Sequence, residues 1–197
     1  MVGNYSHRCH RQTAHAARAA YIVLFSITML GARMMMAAAG GTGTPTTNLT
    51  IAANAYNQNI FTLAGSPTSA VNVILTINSS VKVGSTSTGT PALDTGTGWA
   101  AASTIKIVNN GRIQGAGGAG GNANPTTNGG VGGNALHLQK NVTIDNTNGQ
   151  IWSGGGGGGG ETSIGSRSGG GGAGYNPGAG GSGATVSGAS GTTEAGG

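Results

Sequence analysis

A run of seven consecutive glycines at positions 154–160 limits what this chain can fold into. Glycine brings no side chain to bury, and it loses more backbone entropy on ordering than any other residue. The chain has 42 glycines among 197 residues, while charged residues make up 7%, which is too few for disorder driven by charge repulsion. The glycine-rich region therefore either stays disordered through low complexity or packs in a way that only glycine permits.

The glycine-rich region has one ordered alternative that fits its pattern. Collagen is excluded because its glycines recur strictly at every third position, and the sequence GGGGGGGETSIGSRSGGGGAGYNPG at 154–178 breaks that period. Polyproline-II-like helices made of glycine have three residues per turn and no internal hydrogen bonds, so their amides can bond to neighbouring helices. The stretches at 122–128, 161–168 and 175–178 would then be loops at the ends of such helices.

The region before the glycine run has the pattern of β-strands. NLTIAA at 48–53 and VNVILTI at 71–77 are rich in β-branched residues, and TIKIVNN at 104–110 and VTIDNTN at 142–148 alternate apolar with polar residues. No stretch of this region shows a helical period. We predict an all-β fold, with a glycine-rich part that is polyglycine-II-like or disordered.

A repeat links two of these strands. IVNNGRIQGAGGAGG at 107–121 and IDNTNGQIWSGGGGGGG at 144–160 share an isoleucine, an Asn-Gly turn, a second isoleucine and a glycine run, about 37 residues apart. Repeats of this length are typical of stacked units that bury each other's apolar faces. The Asn-Gly turns suit either the corners of a β-solenoid or hairpins in a sandwich. We expect Ile77, Ile107 and Ile144 to be equivalent inward positions.

Composition divides the chain into four predicted segments. These are a basic and apolar leader at 1–39, a β region at 40–114, a glycine-interrupted β repeat at 115–153 and a glycine-rich tail at 154–197. The leader has fourteen uncharged residues at 19–32, fewer than the roughly 20 that a membrane span needs. It is interpreted as signal-like, as a mis-assigned start before Met34, or as a membrane anchor.

Composition also bears on function. Beyond position 39 the chain has five cations and four acids, without a basic cluster, so we expect no nucleic-acid partner. The acids are scattered, with Asp94 and Asp145 as the one pair that neighbouring rungs would bring together. No nucleophile elbow occurs, and no Lys-Ser/Thr follows the glycine runs. We therefore predict a protein that is not an enzyme and that uses no cofactor and no metal.

The strings TINSSVKVGSTSTGTPALDTG at 76–96 and NNGRIQGAGGAGGNA at 109–123, together with the glycine runs, resemble a known family. The chain is similar, over 48–197, to glycine-rich adhesins at the fibre tips of T-even-like bacteriophages. The resemblance implies a packed polyglycine bundle in the virion tail, whose loops bind a bacterial outer-surface protein or polysaccharide. It also implies other tail-fibre subunits as partners, with a homotrimer as one arrangement. The alternative interpretation is a secreted or surface-anchored bacterial glycine-rich structural protein.

Receptor binding by such a protein would use its loops. Tyr175 and Trp152 flank the glycine tract and are the aromatic candidates, although Trp152 follows an isoleucine and also suits the cover of a sheet. Asn176 lies beside Tyr175, and Glu161 and Arg167 share one predicted loop. The candidate receptor-binding residues are therefore Tyr175, Asn176, Glu161, Arg167 and Trp152.

Overall fold

The structure is a computed structural model that describes residues 43–162 and 165–193. The predicted leader lies outside the described residues. Within them the chain forms short strands and a single four-residue helix. The elements are β1 (Thr46–Ile51), β2 (Ala55–Tyr56), β3 (Gln58–Asn59), α1 (Ile60–Leu63), β4 (Asn72–Ile77), β5 (Lys82–Gly84), β6 (Leu93–Asp94), β7 (Thr104–Asn109), β8 (Arg112–Gln114), β9 (Leu136–His137), β10 (Val142–Asp145) and β11 (Gln150–Trp152).

The strands form three sheets, and the paired strands within them run parallel. The first sheet has the order β1-β4-β7-β10, the second β2-β5-β8-β11 and the third β3-β6-β9. Successive strands along the chain enter successive sheets, so the chain coils through rungs that stack on one another. The all-β prediction is confirmed, and the parallel pairing agrees with the solenoid rather than the sandwich. The predicted Asn-Gly turns are corners between the first and second sheets, not hairpins.

Period-two patterning fixes which side chains fill the solenoid. In β4 the side chains of Val73, Leu75 and Ile77 are buried, while the residues between them are half-exposed. In the first sheet Leu75 lies opposite Ile107, and Ile107 lies opposite Ile144. The predicted equivalence therefore holds for the last two isoleucines and is wrong for Ile77, which lies opposite Asn109.

Helix α1 begins at an N-cap and ends just before Gly65, whose positive φ of 81° departs from helical geometry. The side chain of Asn59 accepts a hydrogen bond from the backbone N–H of Thr62 at 3.0 Å, which satisfies one of the free donors of the first turn. The helix places the fully buried Ile60 in the core. None of the described helices has the length and apolar character to cross a membrane.

The glycine-rich part leaves the second sheet after β8 and again after β11. It runs as six extended segments joined by backbone hydrogen bonds, which we call the glycine segments: 115–123, 127–133, 154–161, 167–175, 176–182 and 186–192. The bonds recur at every third residue. The N–H groups of Gly115, Gly118 and Gly121 donate to the carbonyls of Trp152, Gly155 and Gly158, and those of Gly154, Gly157 and Gly160 donate to Gly133, Gly130 and Thr127.

The glycine segments pack too closely for side chains at one position in three of the run 154–160 and at two positions in three of 115–121. A Cβ on Gly157 would lie 2.0 Å from the carbonyl oxygen of Ala119, and one on Gly154 would lie 1.7 Å from that of Ala116. A Cβ on Gly159, by contrast, would meet nothing within 4 Å. In the run 154–160, the close approach of neighbouring backbones therefore requires glycine at every third residue rather than throughout.

Candidate functional site

Three turns meet at the end of the glycine segments that is remote from β11. We call them the distal turns: 122–127, the described residues 161–162 and 165–167, and 182–186. The backbone N–H of Ser182 donates to the Asn122 side chain at 2.9 Å, and the Ser168 hydroxyl donates to the Ser182 carbonyl at 2.8 Å. Arg167 forms backbone bridges with both Glu161 and Val186. Eight residues of extended chain, 153–160, separate β11 from the second turn, a length of about 25 Å.

Hydrogen bonds close the bases of the first two distal turns. Glu161 and Arg167 exchange two backbone hydrogen bonds, of 2.8 and 3.0 Å. The Thr126 hydroxyl donates to the Ala123 carbonyl at 3.1 Å, which closes the first turn. Val186 keeps 59% of its surface exposed in the third turn. The described residues of the distal turns thus present polar side chains together with the apolar side chain of Val186.

The predicted receptor-binding residues fall into two groups. Glu161 and Arg167 lie together in the second distal turn. Trp152, Tyr175 and Asn176 lie at the opposite end, beside the second sheet.

At that end, Tyr175 covers Gly84 on the outer face of the second sheet. A Cβ on Gly84 would lie 2.1 Å from Cγ of Tyr175, and the ring of Tyr56 meets that of Tyr175 edge-on at 5.3 Å. The Asn176 side chain donates to the Thr86 carbonyl at 2.8 Å. We call this contact the sheet–glycine joint.

Charge and burial support the joint as a packed contact. Burial and the hydrogen bond with Tyr56 raise the pKa of Tyr175, and the nearby Arg112 partly offsets this. Tyr175 therefore stays neutral well above neutral pH. The Arg112 guanidinium lies 4.7 Å from the centre of the Trp152 ring, a cation–π distance.

Gly84→Ala is expected to destabilise the joint by about 1–3 kcal/mol, the usual cost of overpacking, because the added methyl group displaces the Tyr175 ring. Chemical denaturation would measure it. Gly89→Ala is the matched control, since a Cβ there meets nothing within 4 Å. In a Tyr175→Ala background, Gly84→Ala should lower the free energy of unfolding much less than it does in the wild type. An equal cost of Gly84→Ala with and without Tyr175 would contradict the assigned contact.

Sequence reasoning missed a polar cluster on the third sheet. One oxygen of Asp94 lies 3.2 Å from Nδ1 of His137, and the other accepts hydrogen bonds from the Gln139 side chain at 2.8 Å and the Gly96 N–H at 2.7 Å. Burial raises the pKa of Asp94, but these hydrogen bonds together leave it below the ordinary value. The matching tripeptides PAL at 91–93 and NAL at 134–136 were the available signal, because they precede Asp94 and His137, which are register partners.

The two carboxylates of the predicted pair lie in different sheets. Asp145, the other candidate of the carboxylate pair, lies in the first sheet, where its carboxylate accepts hydrogen bonds from Thr147. Those bonds lower the pKa of Asp145. In the described part of the chain no three His, Cys, Asp or Glu side chains are grouped to hold a metal ion.

A stack of β rungs that carries glycine segments to exposed turns suits a protein that attaches to a surface through loops. Comparison with protein families agrees: a model of the phage tail fibre adhesins matches residues 46–197. The chain belongs to the phage tail fibre adhesin Gp38 family, which makes it a component of the virion tail that binds host surface receptors. Comparison with curated proteins and with solved structures gives no match.

Proposed function

We propose that this adhesin binds its bacterial receptor through the distal turns and has no enzymatic activity. The observation that carries the proposal is the convergence of three separate turns at one end of the glycine segments. Binding residues are commonly presented on loops that a rigid scaffold positions. Glu161 and Arg167 are the sequence-predicted candidates that lie there.

We infer that the glycine segments form a polyglycine-II-like bundle. The three-residue recurrence of the intersegment hydrogen bonds and of the forbidden Cβ positions supports this, because such a helix has three residues per turn. A bundle of this kind holds the distal turns rigidly, which lowers the entropy lost on binding.

The remaining partner and site predictions stay proposals. Tyr175, Asn176 and Trp152 as receptor contacts are predictions, and their packing at the sheet–glycine joint favours a structural role for Tyr175 and Asn176. That the receptor is an outer-surface protein or polysaccharide remains a prediction. So does the expectation that the partners are other tail-fibre subunits, with a homotrimer as one arrangement. Family membership favours the tail adhesin over a secreted glycine-rich structural protein.

Arg167→Ala is expected to weaken adsorption of the purified chain to susceptible cells at least tenfold, about 1.4 kcal/mol, because arginines in binding surfaces often dominate affinity. The substitution keeps the backbone bonds that close the turn. Flow cytometry of labelled protein on cells would measure adsorption. Lys106→Ala, at an exposed position of β7, is the control and should leave adsorption unchanged.

The distal turns would be rejected as the receptor site by one result. Adsorption would have to stay at the wild-type level in Arg167→Ala, in Glu161→Ala and in Val186→Ser. Each of these variants changes a different exposed side chain of the distal turns. If the distal turns bind the receptor, at least one of the three should weaken adsorption.

A further inference from the structure

A groove follows the corner between the first and second sheets. It has a volume of about 570 Å³ and is lined by Ala52, Asn78, Ser79, Asn110 and Asn148. These residues follow β1, β4, β7 and β10 in turn, so the groove crosses all four rungs of the solenoid. We call it the corner groove. It is separate from the distal turns and from the sheet–glycine joint.

The corner groove repeats one chemical group at a regular interval. The backbone N–H of Asn78 donates to the Ile51 carbonyl at 3.1 Å, and that of Asn110 donates to the Ile77 carbonyl at 3.0 Å. These residues therefore stack directly above one another, one strand separation apart, about 4.8 Å. The Asn148 side chain reaches the Asn110 side chain at 3.5 Å and continues the row.

The turns that carry this row are rigid. The Asn78 carbonyl accepts a hydrogen bond from the Val81 N–H, at 3.2 Å. The buried Asn109 side chain accepts from the Gly111 N–H at 3.1 Å and donates to the Asn146 side chain at 2.7 Å. Within the described ranges, the side chains of Asn78 and Ser79 make no hydrogen bond of their own. Fixed turns that present free amide and hydroxyl groups are preorganised to bind a ligand.

The chemistry of the lining selects the ligand. No charged side chain lines the corner groove, so a phosphate-bearing polymer would find no cation there. A peptide strand would need free backbone groups, but the N–H groups of Asn78 and Asn110 are already used between rungs. Amides and hydroxyls both donate and accept hydrogen bonds, which suits a ligand dense in neutral hydroxyl groups.

We propose that the corner groove binds an extended stretch of neutral bacterial surface polysaccharide. Three of the four rungs each present one side-chain amide, from Asn78, Asn110 and Asn148, to one or two sugars of the polymer. The site would hold the adhesin along the cell-surface glycan while the distal turns engage the receptor. It goes beyond the receptor proposal and does not depend on it.

The test is isothermal titration calorimetry of the full chain with three probes: maltoheptaose, dextran and a delipidated O-polysaccharide built of neutral sugars. We expect saturable binding of at least one probe. The variant combining Asn78→Ala, Asn110→Ala and Asn148→Ala should bind that probe at least tenfold more weakly. The three asparagines have negative φ, so alanine adds no backbone strain.

Two controls separate the possible outcomes. Asn141→Ala, which changes an exposed asparagine outside both the corner groove and the distal turns, should bind the probe like the wild type. In the wild type, the probe should also shift the side-chain amide NMR signals of Asn78, Asn110 and Asn148, a measurement that needs no variant to fold. Absence of binding by all three probes, or equal binding by the triple variant, would overturn the proposal. Arg167→Ala would still test the receptor site separately, since it should lower cell adsorption and leave polysaccharide binding intact.

Discussion

Gly157→Val is expected to disorder the glycine segments as a group while the solenoid stays folded. A Cβ at this position would lie 2.0 Å from the carbonyl oxygen of Ala119, so the two segments must separate. Separation breaks the hydrogen bonds that join these two segments, from the Gly118 and Gly121 N–H groups to the Gly155 and Gly158 carbonyls, and then those of the other segments bonded to them. The cost should exceed about 4 kcal/mol, which is exceptional for one substitution.

Hydrogen exchange of the backbone amides measures this result directly. Protection should be lost across the glycine segments and kept in β4 and β7. Gly159→Val is the matched control, because it adds the same side chain two residues away, where a Cβ meets nothing within 4 Å. Ser166 is a poorer control, since its φ of 27° is positive and a β-branched residue there would strain the turn itself. Equal protection in the two valine variants would contradict the close packing.

Ile107→Ala is expected to destabilise the solenoid by about 2–5 kcal/mol, the usual cost of a cavity in a packed core. Ile107 is fully buried between Leu75 and Ile144 on the neighbouring rungs, so the rungs cannot close around the missing atoms without moving apart. Chemical denaturation of the full chain measures the loss. Lys106→Ala is the control, because its exposed side chain leaves the solenoid from the opposite face of the same strand.

The control variant should change stability by no more than about 0.5 kcal/mol, as at most surface positions. A cost for Ile107→Ala as small as this would show that the rungs do not enclose a packed core. It would also remove the basis for the register of the first sheet.

The sequence predicted the family and the all-β class well, but it predicted the pairing register of the strands only in part. The apolar alternation of β4 and β7 determined that these segments are strands, because only one face of each can be buried. The equivalence of Ile107 and Ile144 was visible because both repeats carry the same turn. Ile77 was misplaced because insertions change the length of each rung: register partners are spaced by 26 residues from 49 to 75, by 32 from 75 to 107 and by 37 from 107 to 144.

The candidate site was predictable only in part. The sequence identified 122–128 and 161–168 as loops, since non-glycine residues interrupt the runs there. It could not show that these loops meet 182–186 at one end, because the hydrogen bonds between them join distant segments, such as the Ser182 N–H and the Asn122 side chain 60 residues apart. The polar cluster of Asp94 and His137 was missed for the same reason, because its members are 43 residues apart.

The sequence by itself determined the all-β class, the resemblance to phage tail fibre adhesins and the need for glycine in the runs. These follow from local pattern, since side-chain size and alternation are properties of neighbouring residues. The tertiary structure alone decided between a parallel solenoid and a sandwich, and it placed Tyr175 against Gly84 instead of leaving it in a free loop. Both outcomes depend on backbone and ring contacts between residues far apart in the chain, and local preference does not encode which distant partner lies near enough to pack.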